Sequence, residues 1–245
     1  MELTLFQTIN YSLLIILGIL FIRYLYITYA DRRVSPGQWQ NKIQRHEVSS
    51  RLKKLEKKYS DKVRFFNWWL QIERLKHDKV PGVFVELGVY QGESAEIIHQ
   101  MDINRDFHLF DTFTGFRASD LSMEAGEAAT YTPNHFADTS IKAVVERIGG
   151  QHHIKIHPGY FPESTFDFNE PVALVNIDAD LYNPTRAGLE FFYQRLSPGG
   201  VILVHDYNIK WSGIIQAVDE FIQTIPESLV FIPDKYGTVM IIRNK

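Results

Sequence analysis

Seven short apolar runs punctuate the chain from residue 83 onward, and their connections leave little choice of architecture. They lie at 83–87 (VFVEL), 107–110 (FHLF), 153–156 (HIKI), 172–177 (VALVNI), 201–204 (VILV), 228–233 (SLVFIP) and 237–243 (GTVMIIR). Helical periodicity predicts helices at 63–76, 93–101, 138–148 and 185–196. Strand and helix therefore alternate, and a strand that returns through a helix lies parallel to its predecessor, which predicts a parallel sheet with helices on both faces. The last two runs are separated only by a DKY turn, too short for a crossover helix, so they pair antiparallel. Apolar residues make up 45% of the 245, enough to fill such a core. Trp68 and Trp69, in the first of these helices, read as core.

In open α/β sheets ligands sit beyond the carboxyl ends of the strands. After the first run stands ELGVYQGES (86–94), in which Gly88 and Gly92 permit a tight turn and a close backbone approach. Their spacing, G-x-x-x-G, is not the dinucleotide fingerprint G-x-G-x-x-G. After the second run comes Asp111, 25 residues beyond Glu86, placed to accept hydrogen bonds from both hydroxyls of a ribose. Together in one βαβ unit these features favour an adenosine-containing cofactor.

The fourth run ends in NIDADLY (176–182). Asp178 and Asp180 are two residues apart, so on an extended chain they share a face. The fifth run ends in His205-Asp206, and adjacent parallel strands would bring both pairs to one lip of the sheet. Three carboxylates there require a positive counterpart or a retained proton. A divalent cation is the simplest solution, since oxygen ligands suit Mg²⁺ or Mn²⁺. The plainer reading has Asp178 and Asp180 capping the helix at 185–196. The remaining histidines show no metal-ligand spacing.

These pieces resemble the macrocin O-methyltransferase family, which methylates sugar hydroxyls on antibiotics. The matching stretches are VELGVYQGES (85–94), FDTFTGF (110–116), HPGYFPES (157–164), NIDADLYNPT (176–185), LSPGGVILVHDYN (196–208) and GIIQAVDEF (213–221), in the family's order. The resemblance implies a Rossmann-like α/β fold, a seven-stranded S-adenosylmethionine methyltransferase sheet closed by the antiparallel hairpin. It implies cofactor contacts from Glu86, Gly88, Tyr90, Gly92, Ser94, Asp111, Thr112, Phe113 and Gly159. It also implies a divalent metal (Mg²⁺ or Mn²⁺) on Asp178 and Asp206, and Asp180 as the general base. The chain departs from the family at His205, where an acid is usual. Imidazole is a poor Mg²⁺ ligand but serves Mn²⁺, Fe²⁺ or Zn²⁺. Either the metal preference has changed, with His205 a ligand, or His205 is not a ligand and can itself act as a base. The expected acceptor is a small-molecule or glycan hydroxyl. The stretch 117–140 has little periodicity and reads as a lid over it. Two other readings stay open: another Rossmann-like enzyme acting on a nucleotide-sugar, and a non-catalytic tethered module of the same fold.

Residues 13–22 (LLIILGILFI) are uninterruptedly apolar, within a stretch from Leu3 to Tyr29 that also holds Gln7, Thr8, Asn10, Ser12 and Arg23. That length suffices for a single membrane span. Tyr24, Tyr26 and Tyr29, then Arg32 and Arg33, predict an interfacial belt followed by a cytoplasmic side. A cleaved signal fits less well, with no basic residues ahead of the apolar core. The organisation expected is an N-terminal hydrophobic helix serving as a membrane anchor (1–30), a basic linker (31–60) and a cytoplasmic methyltransferase domain (61–245). From Arg23 to Arg64 there are 12 basic and 4 acidic residues, while the rest carries 14 basic and 25 acidic. The basic stretch suits anionic headgroups, and the acidic remainder disfavours nucleic acid. The absence of cysteine excludes disulfides, thiolate catalysis and Cys-ligated metal sites. An oligomer is compatible with all of this.

Overall fold

A computed structural model of the protein describes residues 4–26 and 35–244. The chain divides into two compact units, residues 1–47 and 48–245. In the first, helix α1 (Leu5–Leu25) opens on a capping box in which Thr4 accepts from the Gln7 N–H. None of its residues is buried, and its length and hydropathy allow a membrane crossing. Tyr29, Arg32 and Arg33, which carry part of the orientation argument, lie outside the described residues. A short helix, α2 (Gly37–Gln44), follows.

The second unit holds seven strands: β1 (Val83–Leu87), β2 (Phe107–Asp111), β3 (Ile154–Pro158), β4 (Val172–Ile177), β5 (Leu196–Val204), β6 (Val230–Ile232) and β7 (Thr238–Ile242). Their order across the sheet is β3-β2-β1-β4-β5-β7-β6. The first five are mutually parallel, and β7 lies antiparallel to both β5 and β6. Each apolar run of the sequence is a strand of this one sheet. β1 and β4 are buried along their whole length, as expected of central parallel strands covered on both faces.

The helices around the sheet are α3 (Ser50–Lys58), α4 (Lys62–His77), α5 (Glu93–Met101), α6 (Ala118–Leu121), α7 (Ile141–Ile148), α8 (Tyr182–Tyr193) and α9 (Ser212–Ile222). α4 starts at Asp61, whose carboxylate accepts from the Arg64 N–H at 3.0 Å and, through its other oxygen, from the Lys235 N–H at 2.7 Å. One side chain thus caps the helix and fastens the β6–β7 turn. Trp68 and Trp69 are core residues, and the Trp68 ring N–H donates to Asn176 Oδ1 at 3.1 Å.

Several boundaries differ from the periodicity-based expectation: α7 begins at Ile141 rather than 138, and α8 ends at Tyr193 rather than 196. α8 begins three residues earlier than 185, with Pro184 inside its first turn, where the missing N–H is no loss. β5 begins at Leu196, earlier than the apolar run at 201. The stretch 117–140 is not a bare loop. It contains α6 and a turn of 3₁₀ helix at Ala128–Thr130, and both Asp120 and Ala128 are buried. It is fastened to the turn after β5: the Glu127 N–H donates to Lys210 O at 2.8 Å and the Trp211 ring N–H to Tyr131 Oη at 3.1 Å. Such short anchored turns leave no periodic trace in sequence.

Candidate active site

The sheet order reverses direction between β1 and β4, and the ladder there continues one residue past each strand. The Gly88 N–H donates to Phe110 O at 3.0 Å, the Asp178 N–H to Leu87 O at 2.8 Å, and the His205 N–H to Ile177 O at 3.0 Å. These bonds level the carboxyl ends of β2, β1, β4 and β5 and set Gly88, Asp178 and His205 side by side. Gly88 has φ +86°, and a Cβ there would overlap the Asp178 carbonyl, so the neighbouring strand end dictates glycine.

Above these ends lies a cavity of about 320 Å³, a size ordinary for a small-molecule site. Of the residues expected from the sequence, Gly88, Tyr90, Ser94, Asp111, Thr112, Gly159, Asp178, Asp180, His205 and Asp206 line it. Three expected cofactor contacts do not. Glu86 is fully buried behind the strand, where its Oε1 accepts from Asn176 Nδ2 at 2.7 Å, and burial pushes its carboxyl up to about 8. In a strand buried on both faces, alternation cannot tell a cavity-facing residue from a core one. Gly92 supplies the left-handed turn that opens α5, and the Phe113 N–H donates to Asp111 Oδ1 at 2.7 Å. Both shape the wall from behind.

Asp111 occupies the expected place but is busier than expected. Its Oδ2 accepts from the N–H groups of Val89 at 2.6 Å and Tyr90 at 2.9 Å, in addition to Phe113 on Oδ1. A carboxylate has about four acceptor sites, so roughly one remains for a ligand hydroxyl. Asp111 therefore holds the two ligand-facing loops together as well as facing the cavity. Tyr90, Phe113, Phe136, Asp180 and Asp206 all have positive φ. Side-chain-bearing residues in that region are strained, and such strain gathers at functional sites.

The acid cluster is the chemical centre. Asp178 Oδ2 accepts from Arg64 Nη2 at 2.9 Å, and its Oδ1 lies 3.0 Å from His205 Nδ1. The same Nδ1 is 3.2 Å from Asp206 Oδ1. Burial alone would raise the Asp178 carboxyl, but the Arg64 charge and then His205 outweigh it and hold it well below the usual carboxylate range. Burial would lower His205, yet the Asp178 carboxylate dominates and pushes the imidazole up to about 9. Asp180 is raised well above the ordinary carboxylate value, by burial first and then by Asp178 and Asp206. Neither Asp178 nor Asp180 caps α8. That helix has no side-chain cap at Leu181, and Glu124 Oε1 instead accepts from the Tyr182 N–H at 2.7 Å.

Arg64 and Tyr59 line the same cavity and were not anticipated. Arg64 belongs to a helix read as amphipathic, inside a stretch already rich in basic residues, and its partner is 114 residues away. No local signal marks it. Asp120, also in the cavity lining, accepts from Tyr160 Oη at 2.9 Å and Asn183 Nδ2 at 2.7 Å. There the Arg117 guanidinium lies 3.4 Å from the Tyr160 ring centroid, held by Glu163 through bonds of 2.8 and 2.6 Å.

Comparison with known proteins bears on the fold and the family. The 8-demethyl-8-(2,3-dimethoxy-alpha-L-rhamnosyl)-tetracenomycin-C 4'-O-methyltransferase of Streptomyces olivaceus is 28% identical over 150 residues, 56% of this chain and 58% of that protein. The mycinamicin III 3''-O-methyltransferase of Micromonospora griseorubida is 32% identical over 155 residues, 56% of this chain and 60% of that one. The matches thus span less than two thirds of the length of these relatives. The solved O-methyltransferase NovP shares the fold, with a TM-score of 0.64 over 75% of this chain and 81% of that chain at 24% identity. Residues 36–238 match the model of the macrocin-O-methyltransferase (TylF) family, and with that match over most of its length the chain belongs to this family.

Proposed function

We propose that the protein is an S-adenosylmethionine-dependent O-methyltransferase whose acceptor is a hydroxyl of a sugar or glycan. The observation that carries this reading is a cavity at the switch point of the sheet, which joins the Gly88–Asp111 loops to the Asp178–Asp180–Asp206 acids. The relatives named for O-methylation of glycosylated natural products support the sugar acceptor.

The cavity residues fit an adenosine ligand carrying a cationic sulfonium. Phe110, Phe116, Phe136 and Phe161 offer apolar lining, Asp111 keeps about one acceptor site for a ribose hydroxyl, and the acids at the far end favour positive charge. S-adenosylmethionine, when bound, supplies an electrophilic methyl group on sulfur. The chain's share is to bring the acceptor oxygen into line and to take its proton. Asp180 is the base in this reading. Burial first, and then Asp178 and Asp206, raise its carboxyl well above the ordinary carboxylate value, which makes it a stronger proton acceptor than a solvated aspartate. His205 suits that role less, because its Nδ1 faces two carboxylates and its Nε2 is buried without a partner.

Asp178, His205 and Asp206 also fit a divalent cation, since one ligating atom from each lies within 4.8 Å of the others. Such an ion would lower the pKa of an acceptor hydroxyl. Arg64 would then steady Asp178 from behind, as outer partners of metal ligands do.

The apolar α1 supports a single-pass anchor that keeps the catalytic unit on the cytoplasmic face, near a lipid-linked or envelope glycan. Alkaline extraction of membranes tests the anchor; release of the full chain into the supernatant would refute it. Calorimetric titration of the full chain with S-adenosylhomocysteine, against NAD and a UDP-sugar, tests the cofactor. Micromolar binding of the first alone is expected, and tighter binding of either of the others would overturn the reading.

A further inference from the structure

We propose that the Asp178–His205–Asp206 site prefers a first-row transition ion, for which Mn²⁺ is the probe, and accepts Mg²⁺ poorly. This rests on the reading of these three residues as a metal site. The argument is from donor atoms. Mg²⁺ is held by oxygens, close to octahedrally, whereas imidazole nitrogen suits Mn²⁺, Fe²⁺ and Zn²⁺. His205 is not a bystander that an ion could avoid. Its side chain is 8% exposed, and Nδ1 sits 3.0 Å from Asp178 Oδ1 and 3.2 Å from Asp206 Oδ1. Adjacent ligands about 2.1 Å from an octahedral ion are themselves about 3 Å apart. Both spacings match that between neighbouring ligands, so an ion held by these two carboxylate oxygens has the ring nitrogen within reach as a third ligand.

Arg64 sharpens the preference. It binds Asp178 Oδ2 at 2.9 Å, so Asp178 offers an ion one oxygen, with its charge already shared. A hard ion that depends on carboxylate charge loses most by this. An ion that gains from nitrogen loses least.

The test uses the full-length protein and Mn²⁺ itself, with free ion followed by its electron paramagnetic resonance signal. One bound equivalent is expected, with a nitrogen hyperfine coupling from the imidazole. Mg²⁺ should need a molar excess of roughly tenfold or more to displace half of it. His205→Asp should abolish the nitrogen coupling and reduce the required excess by about tenfold. Displacement by Mg²⁺ at parity, or bound Mn²⁺ without nitrogen coupling, would overturn the inference and leave the metal site standing. Both readouts on the unaltered protein survive even if the variant misfolds. If neither ion binds while S-adenosylhomocysteine still does, the metal site itself fails, and this inference with it.

Discussion

Removing the Arg64 guanidinium should unbalance the acid cluster more than any other single change outside the cluster itself. Arg64 and Asp178 are 2.9 Å apart with side chains 8% and 24% exposed, and the guanidinium also lies 4.7 Å from the Trp68 ring centroid. Arg64→Met keeps much of the stem's packing but leaves Asp178 facing Asp180 and Asp206 with one cation fewer. Breaking a buried ion pair from one side costs about 3–5 kcal/mol, because the survivor stays desolvated. His205 still donates to Asp178, and Asp178 is partly open, so the lower end, about 3 kcal/mol, is expected. In a chain of this size that lowers Tm by roughly 6–12 °C. Asp178→Asn strands the guanidinium and should cost a similar amount. The double variant strands neither, so its cost should fall short of the sum of the two by about 2 kcal/mol, within the range that coupled neighbours show. Thermal and urea unfolding of the four full-length proteins closes the cycle. Strictly additive costs, or an Arg64→Met protein within about 0.5 kcal/mol of the parent, would refute the assignment of Arg64 as the internal counter-ion.

Other residues give simpler tests. Glu86 has a folded-state pKa near 8, so above its unfolded value the folded chain holds a proton that the unfolded chain has lost, and stability falls as pH rises toward 8. Between pH 5.5 and 7.5 this group alone removes about 2–3 kcal/mol. Glu86→Gln should flatten urea midpoints across that window, and an unchanged slope would show that Glu86 does not carry the proton. Asp180→Asn should lower kcat by roughly 10²- to 10⁴-fold with S-adenosylhomocysteine affinity nearly unchanged; full turnover would remove it as the base. Asp111→Ala deletes three backbone anchors together with the ligand contact. It should therefore weaken S-adenosylhomocysteine binding in calorimetry by roughly a hundredfold or more, about 3 kcal/mol, and an unaltered affinity would place the ribose elsewhere.

What could be read from the sequence follows from how far apart the interacting residues lie. The strands announce themselves by local runs of apolar residues, and Gly88, Asp178 and His205 are found because each follows immediately on a run. Knowing that the strands are parallel is then enough to bring them together, although their partners are up to 117 residues apart. The helix starts were less legible. The Tyr182 N–H is satisfied by Glu124, 58 residues earlier, so the acids beside it look like caps when they are free to face the cavity. Glu86 shows the reverse difficulty, a polar residue expected at the ligand whose strand is buried on both faces and whose carboxyl accepts from Asn176 in the core.

The three carboxylates show most clearly where inference from sequence stops. Charge balance requires cations near Asp178, Asp180 and Asp206, and that requirement holds whatever the fold. Its source is a matter of topology. Asp61 starts α4 so that Arg64 falls in its first turn, and the Trp68–Asn176 bond sets the same helix against β4. Those two contacts, neither of them at the site, are what carry a guanidinium from the basic N-terminal stretch into an acidic cavity. Asn176→Leu would break one of them without touching the cavity. It strands a buried indole N–H, a cost of about 1–3 kcal/mol, takes one donor from the Glu86 carboxyl, and loosens α4 where Arg64 reaches Asp178. If Arg64 is positioned this way, a double cycle of Asn176→Leu with Arg64→Met should show a coupling of about 0.5 kcal/mol or more. Independence of the two would mean that Arg64 finds Asp178 without help from the helix.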